Sequence, residues 1–226
     1  MREIDTVNLI KKSKLFQNLK DNEVENICRM IPFAEKGFSR NQVIISQGEP
    51  VGRIGLIKRG MVISAKYHFD GNQQILRIYN QGEVFALDAV NTTSSKSPVT
   101  FISQTESRIV FLPYNQIFSN EGIVDDTKKT IMENSSEILS NELIRMMYKI
   151  DVLSKRTLRE RIMTYLSLIR EKGDSDTFDI GMNQGQFAQY LCVNRSVLSN
   201  ELNRMRVSGL IDYKGKFFTL HQGVQK

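Results

Sequence analysis

Thiols and imidazoles are scarce in this chain of 226 residues, which has two cysteines and two histidines. Cys28 and Cys192 lie far apart, each inside an apolar helical pattern. They are expected to be buried thiols rather than a disulfide, which suits a reducing cytosol. With His68 and His221 they do not supply an ordinary structural zinc site, so no metal is expected and no cofactor is evident. Long apolar runs are missing too: nothing reaches the roughly 18 residues a membrane-spanning helix needs. The N-terminal MREIDTVNLIKKSKLF has no continuous apolar core, so no secretory signal is expected. The expected location is cytoplasmic, with no membrane partner.

What is present is a large apolar fraction and an uneven charge. Hydrophobic residues make up 40%, enough for a real core, and the net charge is +6. From Leu153 onward there are twelve Lys/Arg against seven Asp/Glu, whereas residues 1–152 hold nineteen against eighteen. The positive excess therefore sits in the last third, as attraction to phosphate requires.

That last third contains the most informative stretch, Asn183–Phe218. Phe187, Ala188 and Leu191 fall on one face of a short helix. Asn183 precedes it as an N-cap, with Gln186 as capping-box partner. Cys192-Val193 interrupts, and Asn194 caps a second helix whose buried face is Leu198, Leu202 and Met205. Small Ala188 lets the two helices pack closely, the layout of a helix-turn-helix. Gly209 stops the second helix. Two β-prone runs around Lys214-Gly215 then read as a hairpin, completing a winged helix. The second helix would be the recognition helix, exposing Arg195, Ser196, Ser199, Asn200, Asn203 and Arg204. Arg can take guanine bidentately, Asn can take adenine, and Ser can bond either. The plainer reading is a solvated amphipathic hairpin; wing, caps and basic charge together favour DNA.

Upstream, Asn8–Met30 reads as helical and ends at Pro32. From Phe33 to Pro113 short β-prone runs alternate with glycine turns: Gln42–Ser46, Arg53–Lys58, Met61–Phe69, Gln74–Tyr79, Val99–Ser103 and Ser107–Leu112. Asp70-Gly71 is a hairpin signal, and His68 beside it reads as a solvated turn residue. Such spacing suggests a β-barrel or jelly-roll-like double sheet. Asp125–Ser154 reads as one long helix with two apolar faces. Met132, Leu139, Leu143, Met146, Ile150 and Leu153 form a heptad seam, expected to pair with a second copy. Ile131, Ile138 and Ile144, with Met147 at the edge, are expected to pack on the β-domain. Burial of the whole helix in a single core is the plainer alternative. Arg156–Glu171 reads as an amphipathic helix, with Leu158, Ile162, Tyr165, Leu166 and Ile169 inward, and Thr177–Gly181 as a short strand.

In this order the pieces resemble the Crp–Fnr family of bacterial transcription regulators over nearly the whole length. The β-domain carries its pattern in Gln47-Gly48-Glu49-Pro50, Gly60 and Tyr79-Asn80-Gln81-Gly82-Glu83-Val84-Phe85. Val193-Asn194-Arg195-Ser196 and Leu198-Ser199-Asn200-Glu201-Leu202 are similar to members from anaerobic Gram-positive bacteria with undefined effectors. The resemblance implies an α+β fold: an N-terminal antiparallel β-roll, a long dimerisation helix and a C-terminal winged helix-turn-helix. The expected boundaries are 1–124, 125–154 and 155–226. It puts Arg195, Ser196 and Asn200 at base-reading positions; Ser199, exposed on the same helix, joins them. Asn183, Gln184, Asn194 and Lys216 align with phosphate contacts. Ser196 and Asn200 replace the glutamate and arginine common in the family, so the operator is expected to differ. Glu201 stands where the motif expects an apolar residue.

Members that bind cyclic AMP carry Gly-Glu and Arg-Ser pairs for the ribose and phosphate. Here the matching residues are Ala86-Leu87 and Ser97-Pro98, and Met146-Met147 replace hydroxyl-bearing positions on the long helix. Cyclic AMP is therefore not the expected effector. Two cysteines also fall short of the four that the iron–sulfur members use. An unassigned pocket bounded by Ala86, Leu87, Asp88, Ser97 and Met147 is left for an unknown small molecule. The reading is a homodimeric regulator with double-stranded DNA as partner. RNA polymerase is a further candidate partner, though no residue marks a patch for it. The alternatives are a ligand-binding regulatory subunit whose winged helix binds protein, and a cupin-type metalloenzyme. The latter needs several converging metal ligands, and His68 is the only histidine in the β-domain.

Overall fold

The computed structural model describes residues 2–67, 73–171, 173 and 175–221. The chain divides into two compact units, Met1–Phe69 with Leu76–Glu142, and Asp70–Ile75 with Leu143–Lys226. The Asp70-Gly71 turn and His68 lie outside the described residues.

The first unit opens with α1 (Arg2–Lys12), a 3-10 turn (Lys14–Phe16) and α2 (Asp21–Met30). The single helical stretch read over Asn8–Met30 is thus broken in two. Ser13 caps the turn by accepting from the Leu15 amide, and Asn18 takes a left-handed φ of 65°. Glu23 then accepts the Lys20 amide at 2.7 Å to start α2. The apolar spacing ran across the break because Leu15, Phe16, Val24 and Ile27 all enter one core.

The strands are β1 (Ala34–Phe38), β2 (Val43–Ile45), β3 (Ile54–Arg59), β4 (Val62–Tyr67), β5 (Gln73–Tyr79) and β6 (Val84–Phe85), followed by β7 (Thr100–Ser103) and β8 (Ser107–Leu112). They form two four-stranded sheets, ordered β1-β8-β3-β6 and β2-β7-β4-β5. The registered pairs are antiparallel. Two such layers enclose an apolar core, and β3, β4 and β7 each carry four consecutive buried residues. All six expected strand segments are present. Two more, β1 and β6, were not expected: Ala34–Phe38 is polar and mostly exposed, and exists because five residues pair with β8. Short helices α3 (Leu87–Val90) and α4 (Tyr114–Ser119) sit between strands and after β8.

The long helix α5 spans Asp125–Ser154, the range read from the sequence. Its first half is fastened to the first unit by polar groups as much as by Ile131. Asn134 donates to the Leu15 and Gln17 carbonyls at 3.0 and 2.8 Å. Ser135 accepts from the Tyr114 hydroxyl at 2.7 Å, and Thr127 donates to Glu23 at 2.8 Å. Buried polar groups need such partners, so these bonds fix the helix position. Ile138 is half-buried there, but Ile144, expected to be packed, is 46% exposed.

The second unit continues with α6 (Leu158–Arg170), β9 (Thr177–Asp179), α7 (Gln184–Tyr190), α8 (Arg195–Val207), β10 (Ile211–Lys214) and β11 (Phe217–Leu220). The strands form one antiparallel sheet in the order β10-β11-β9. A capping box between Thr157 and Glu160 starts α6. Ile162, Tyr165 and Leu166 are buried as expected, while Leu158 and Ile169 are only half-buried. Tyr165 and Phe218 both pack against Phe187, joining α6, α7 and the wing.

Candidate nucleic-acid interface

The helix-turn-helix is built by caps and one left-handed residue. Asn183 Oδ1 accepts from the Gln186 amide, and Gln186 Oε1 accepts from the Asn183 amide, both at 2.9 Å. This reciprocal pair satisfies two amides that α7 would leave open. After α7, Cys192 adopts a φ of 58°, and the Val193 amide reaches back to the Ala188 carbonyl at 3.0 Å. That residue turns the chain sharply into α8. Cys192 is exposed, not buried as its apolar neighbours suggested, because the turn itself carries it outward. Cys28 is half-buried in α2, and burial pushes its thiol up to about 11.

Leu198, Leu202 and Met205 are fully buried and fix the rotation of α8. At 100° per residue, Ser196 and Asn200 lie opposite that stripe, with Arg195 and Ser199 on its flank. Arg195, Ser196 and Asn200 are exposed and Ser199 is half-buried. The four therefore share the first two turns of one helix and an outward side. Asn203 accepts from Arg206 at 2.9 Å.

The expected phosphate contacts lie in the same unit, at the starts of α7 and α8 and in the wing. Asn183 and Asn194 are exposed at the N-termini of α7 and α8, and Gln184 is half-buried. Asn194 is the N-cap residue by position, but its side chain makes no capping bond. The start of α8, without a side-chain cap, presents open amides suited to an anion. Lys216, in the wing, is held by Asp179 of β9 at 2.6 Å. Lys216 and the Gly181 amide hold the Asp179 carboxyl below the usual range against the opposing pull of burial.

Glu201 fits its apolar position by pairing. Its carboxylate is 14% exposed and accepts from Arg159 Nε of α6 at 2.7 Å, with Arg204 at 3.7 Å. Arg159 and Asp179 were missed in the sequence because their partners lie 42 and 37 positions away along the chain. The Thr157-x-x-Glu160 capping box was missed too, although its spacing is a local signal.

The remaining candidates lie elsewhere. On α5, Met132, Leu143, Met147 and Ile150 are 60–67% exposed and align in one stripe, with Leu139, Met146 and Leu153 half-buried beside it. Met147 thus runs with the seam. Ala86 and Leu87 are buried at the start of α3, Asp88 is exposed, and the buried Ser97 hydroxyl donates to the Val99 carbonyl at 2.7 Å. Aromatic rings fill the neighbouring core: Phe85 and Phe101 are 4.9 Å apart, with Tyr79 about 6 Å from each. Among the described residues no group of three or more His, Cys, Asp or Glu could hold a metal ion. No described helix is long and apolar enough to cross a membrane.

Comparison with known proteins agrees with this arrangement. Residues 35–119 match the cyclic nucleotide-binding domain model, and residues 160–222 match the Crp-like helix-turn-helix domain. Electron transport regulator A of Shewanella oneidensis is 25% identical over 208 residues, 89% of this chain and 80% of that protein. The fumarate and nitrate reduction regulatory protein of Vibrio cholerae is 23% identical over 89% of this chain and 80% of its own. Among solved structures, the c-di-GMP responsive regulator CLP of Xanthomonas campestris has a TM-score of 0.71 at 15% identity, covering 90% of this chain and all of that one. The latter likeness is one of fold. With its two domain models in this order, the chain belongs to the Crp–Fnr family of dimeric, sequence-specific DNA-binding transcription regulators.

Proposed function

We propose that two copies pair along the second half of α5 and present two recognition helices to a palindrome. The half-sites would lie ~34–36 Å apart, one turn of DNA. Arg195, Ser196, Ser199 and Asn200 read bases, while Asn183, Gln184, Asn194 and Lys216 hold phosphates. Met132, Leu139, Leu143, Met146, Ile150 and Leu153, joined by Met147, form the seam between copies. The functional segments are 1–124, 125–154 and 155–226. The observation that carries this reading is the outward polar set on α8, clamped by the buried Leu198-Leu202-Met205 stripe. Large exposed apolar side chains aligned on one helix face support the pairing.

The effector is not cyclic AMP. Leu87 is buried and offers no acceptor to a ribose, and Ser97 brings no charge to a cyclic phosphate. The test is selection of bound duplexes from a random library, using the full chain without added ligand. Recovery of a palindrome with half-sites one turn apart supports the reading. Recovery of nothing above nonspecific binding, with or without cell metabolites, counts against it.

A further inference from the structure

The first unit carries an open cleft of about 600 Å³ that none of the residues at the family's cyclic-nucleotide position lines. One wall is α1, through Asp5, Asn8, Leu9 and Lys12. The facing wall is the β1-β8-β3 sheet, through Glu35, Lys58, Arg59 and Arg108, with Gln81 from the β5–β6 turn. In a regular strand Lys58 and Arg59 would point to opposite faces. Here the β3–β8 register shifts between Ile57 and Arg59, and both residues line the cleft. Irregular strands of this kind re-aim side chains, often beside sites.

The four cations outnumber the two carboxylates, and their pairing decides where the surplus sits. The Lys58 ammonium, 14% exposed, bonds Glu35 at 2.9 Å and Asp5 at 3.3 Å. It also donates to the Thr6 hydroxyl at 2.9 Å, and Arg108 bonds Glu35 at 3.1 Å. Lys58 holds the Glu35 carboxyl below its usual range. These two cations and two carboxylates therefore form a neutral group. Lys12 and Arg59 are exposed and have no ion pair among the described residues, so the two surplus charges rest on them.

We propose that this cleft binds a small phosphorylated ligand of the nucleoside polyphosphate class. Lys12 and Arg59 take the phosphates, the first as a point charge and the second as a planar fork. Leu9 supplies an apolar surface for a flat ring, and the Asn8 and Gln81 amides can donate to and accept from its edge. The volume lies in the range of small-molecule sites. The site is independent of the DNA-reading surface, so a failure here leaves that reading untouched.

The test is calorimetric titration of the full chain at low ionic strength with ADP and, separately, with inorganic pyrophosphate. The expected result is saturable binding of one ADP per chain, tighter than pyrophosphate. Arg59→Ala and Lys12→Ala should each weaken it about tenfold. Lys129→Ala, which removes a positive charge outside the cleft, should leave it unchanged. All three side chains are exposed, and matching melting temperatures would check folding. No saturable binding, or ADP binding that survives both cleft substitutions, overturns the site. Equal weakening by Lys129→Ala reduces it to general charge attraction. Pyrophosphate binding as tightly as ADP overturns the nucleoside part.

Discussion

Glu201 of the recognition helix and Arg159 of α6 are joined by a 2.7 Å hydrogen bond between oppositely charged groups. This ties the orientation of the reading helix to the helix behind it. Arg159 is 46% exposed, so the pair is partly screened by water. Its coupling in a double-mutant cycle should be about 0.5–1 kcal/mol. Glu201→Leu should be close to neutral, because the position is otherwise apolar and Arg159 can return to solvent. Urea unfolding of the two single variants and the double variant checks this. A loss of more than about 3 kcal/mol for Glu201→Leu would mean that the pair is structurally indispensable.

Arg195→Ala should weaken binding to the selected duplex by about 1–3 kcal/mol if the contact to a base is bidentate. It should also relax preference at one base pair in each half-site. Competition binding against single-position operator variants reads both effects. Uniform weakening across all variants would make Arg195 a phosphate contact.

Much of the DNA head was legible because its signals are local. Asn183 and Gln186 cap within one turn, and Leu198, Leu202 and Met205 repeat at helical spacing. The long helix was legible in extent but not in attachment. Its first half is held by Thr127, Asn134 and Ser135, polar residues that apolar periodicity passes over. Strand β1 was hidden for a related reason: Ala34–Phe38 lacks β-branched residues and is set by pairing with β8. Lys58 and Arg59 looked like ordinary strand residues, and only the register shift brings both to one cleft.

Leu143→Asp should separate the copies. Leu143 is 64% exposed in the single chain, at the centre of the stripe with Met147 and Ile150. Pairing would bury it, and a carboxylate there would be desolvated without a partner. Sedimentation equilibrium should show a monomer that retains its far-ultraviolet spectrum and loses tight palindrome binding. A dimer persisting unchanged would place the interface elsewhere.

Asp179→Asn should strengthen DNA binding. Lys216 is held by Asp179 at 2.6 Å, and a phosphate would have to displace that carboxylate. Asn leaves the lysine charge uncompensated while keeping an oxygen for the Gly181 amide, which Asp179 accepts at 2.7 Å. The slope of log affinity against log salt should steepen by up to about 1 per head. An unchanged slope would mean that Lys216 does not meet a phosphate.

Lys149 provides a test through pH. It is 4% exposed on α5, donates to the Ile75 carbonyl and lies 4.0 Å from the Tyr190 ring centroid. No carboxylate pairs with it among the described residues, and burial lowers its pKa to about 8 from 10.5. The unfolded chain therefore holds this proton between pH 8 and 10.5 after the folded chain has released it. Stability from this group must rise with pH across that window, and the cost of the buried charge is fully present below it. The full swing is about 3 kcal/mol. Lys149→Met keeps the length and removes the charge, so its melting temperature relative to the parent should fall steadily from pH 7 to 10.5. Comparison of the two proteins at each pH isolates this group, because burial pushes the neighbouring Tyr190 hydroxyl up to about 12, above the window. A gap that stays constant or widens over this range would show that Lys149 is not carried as a desolvated cation.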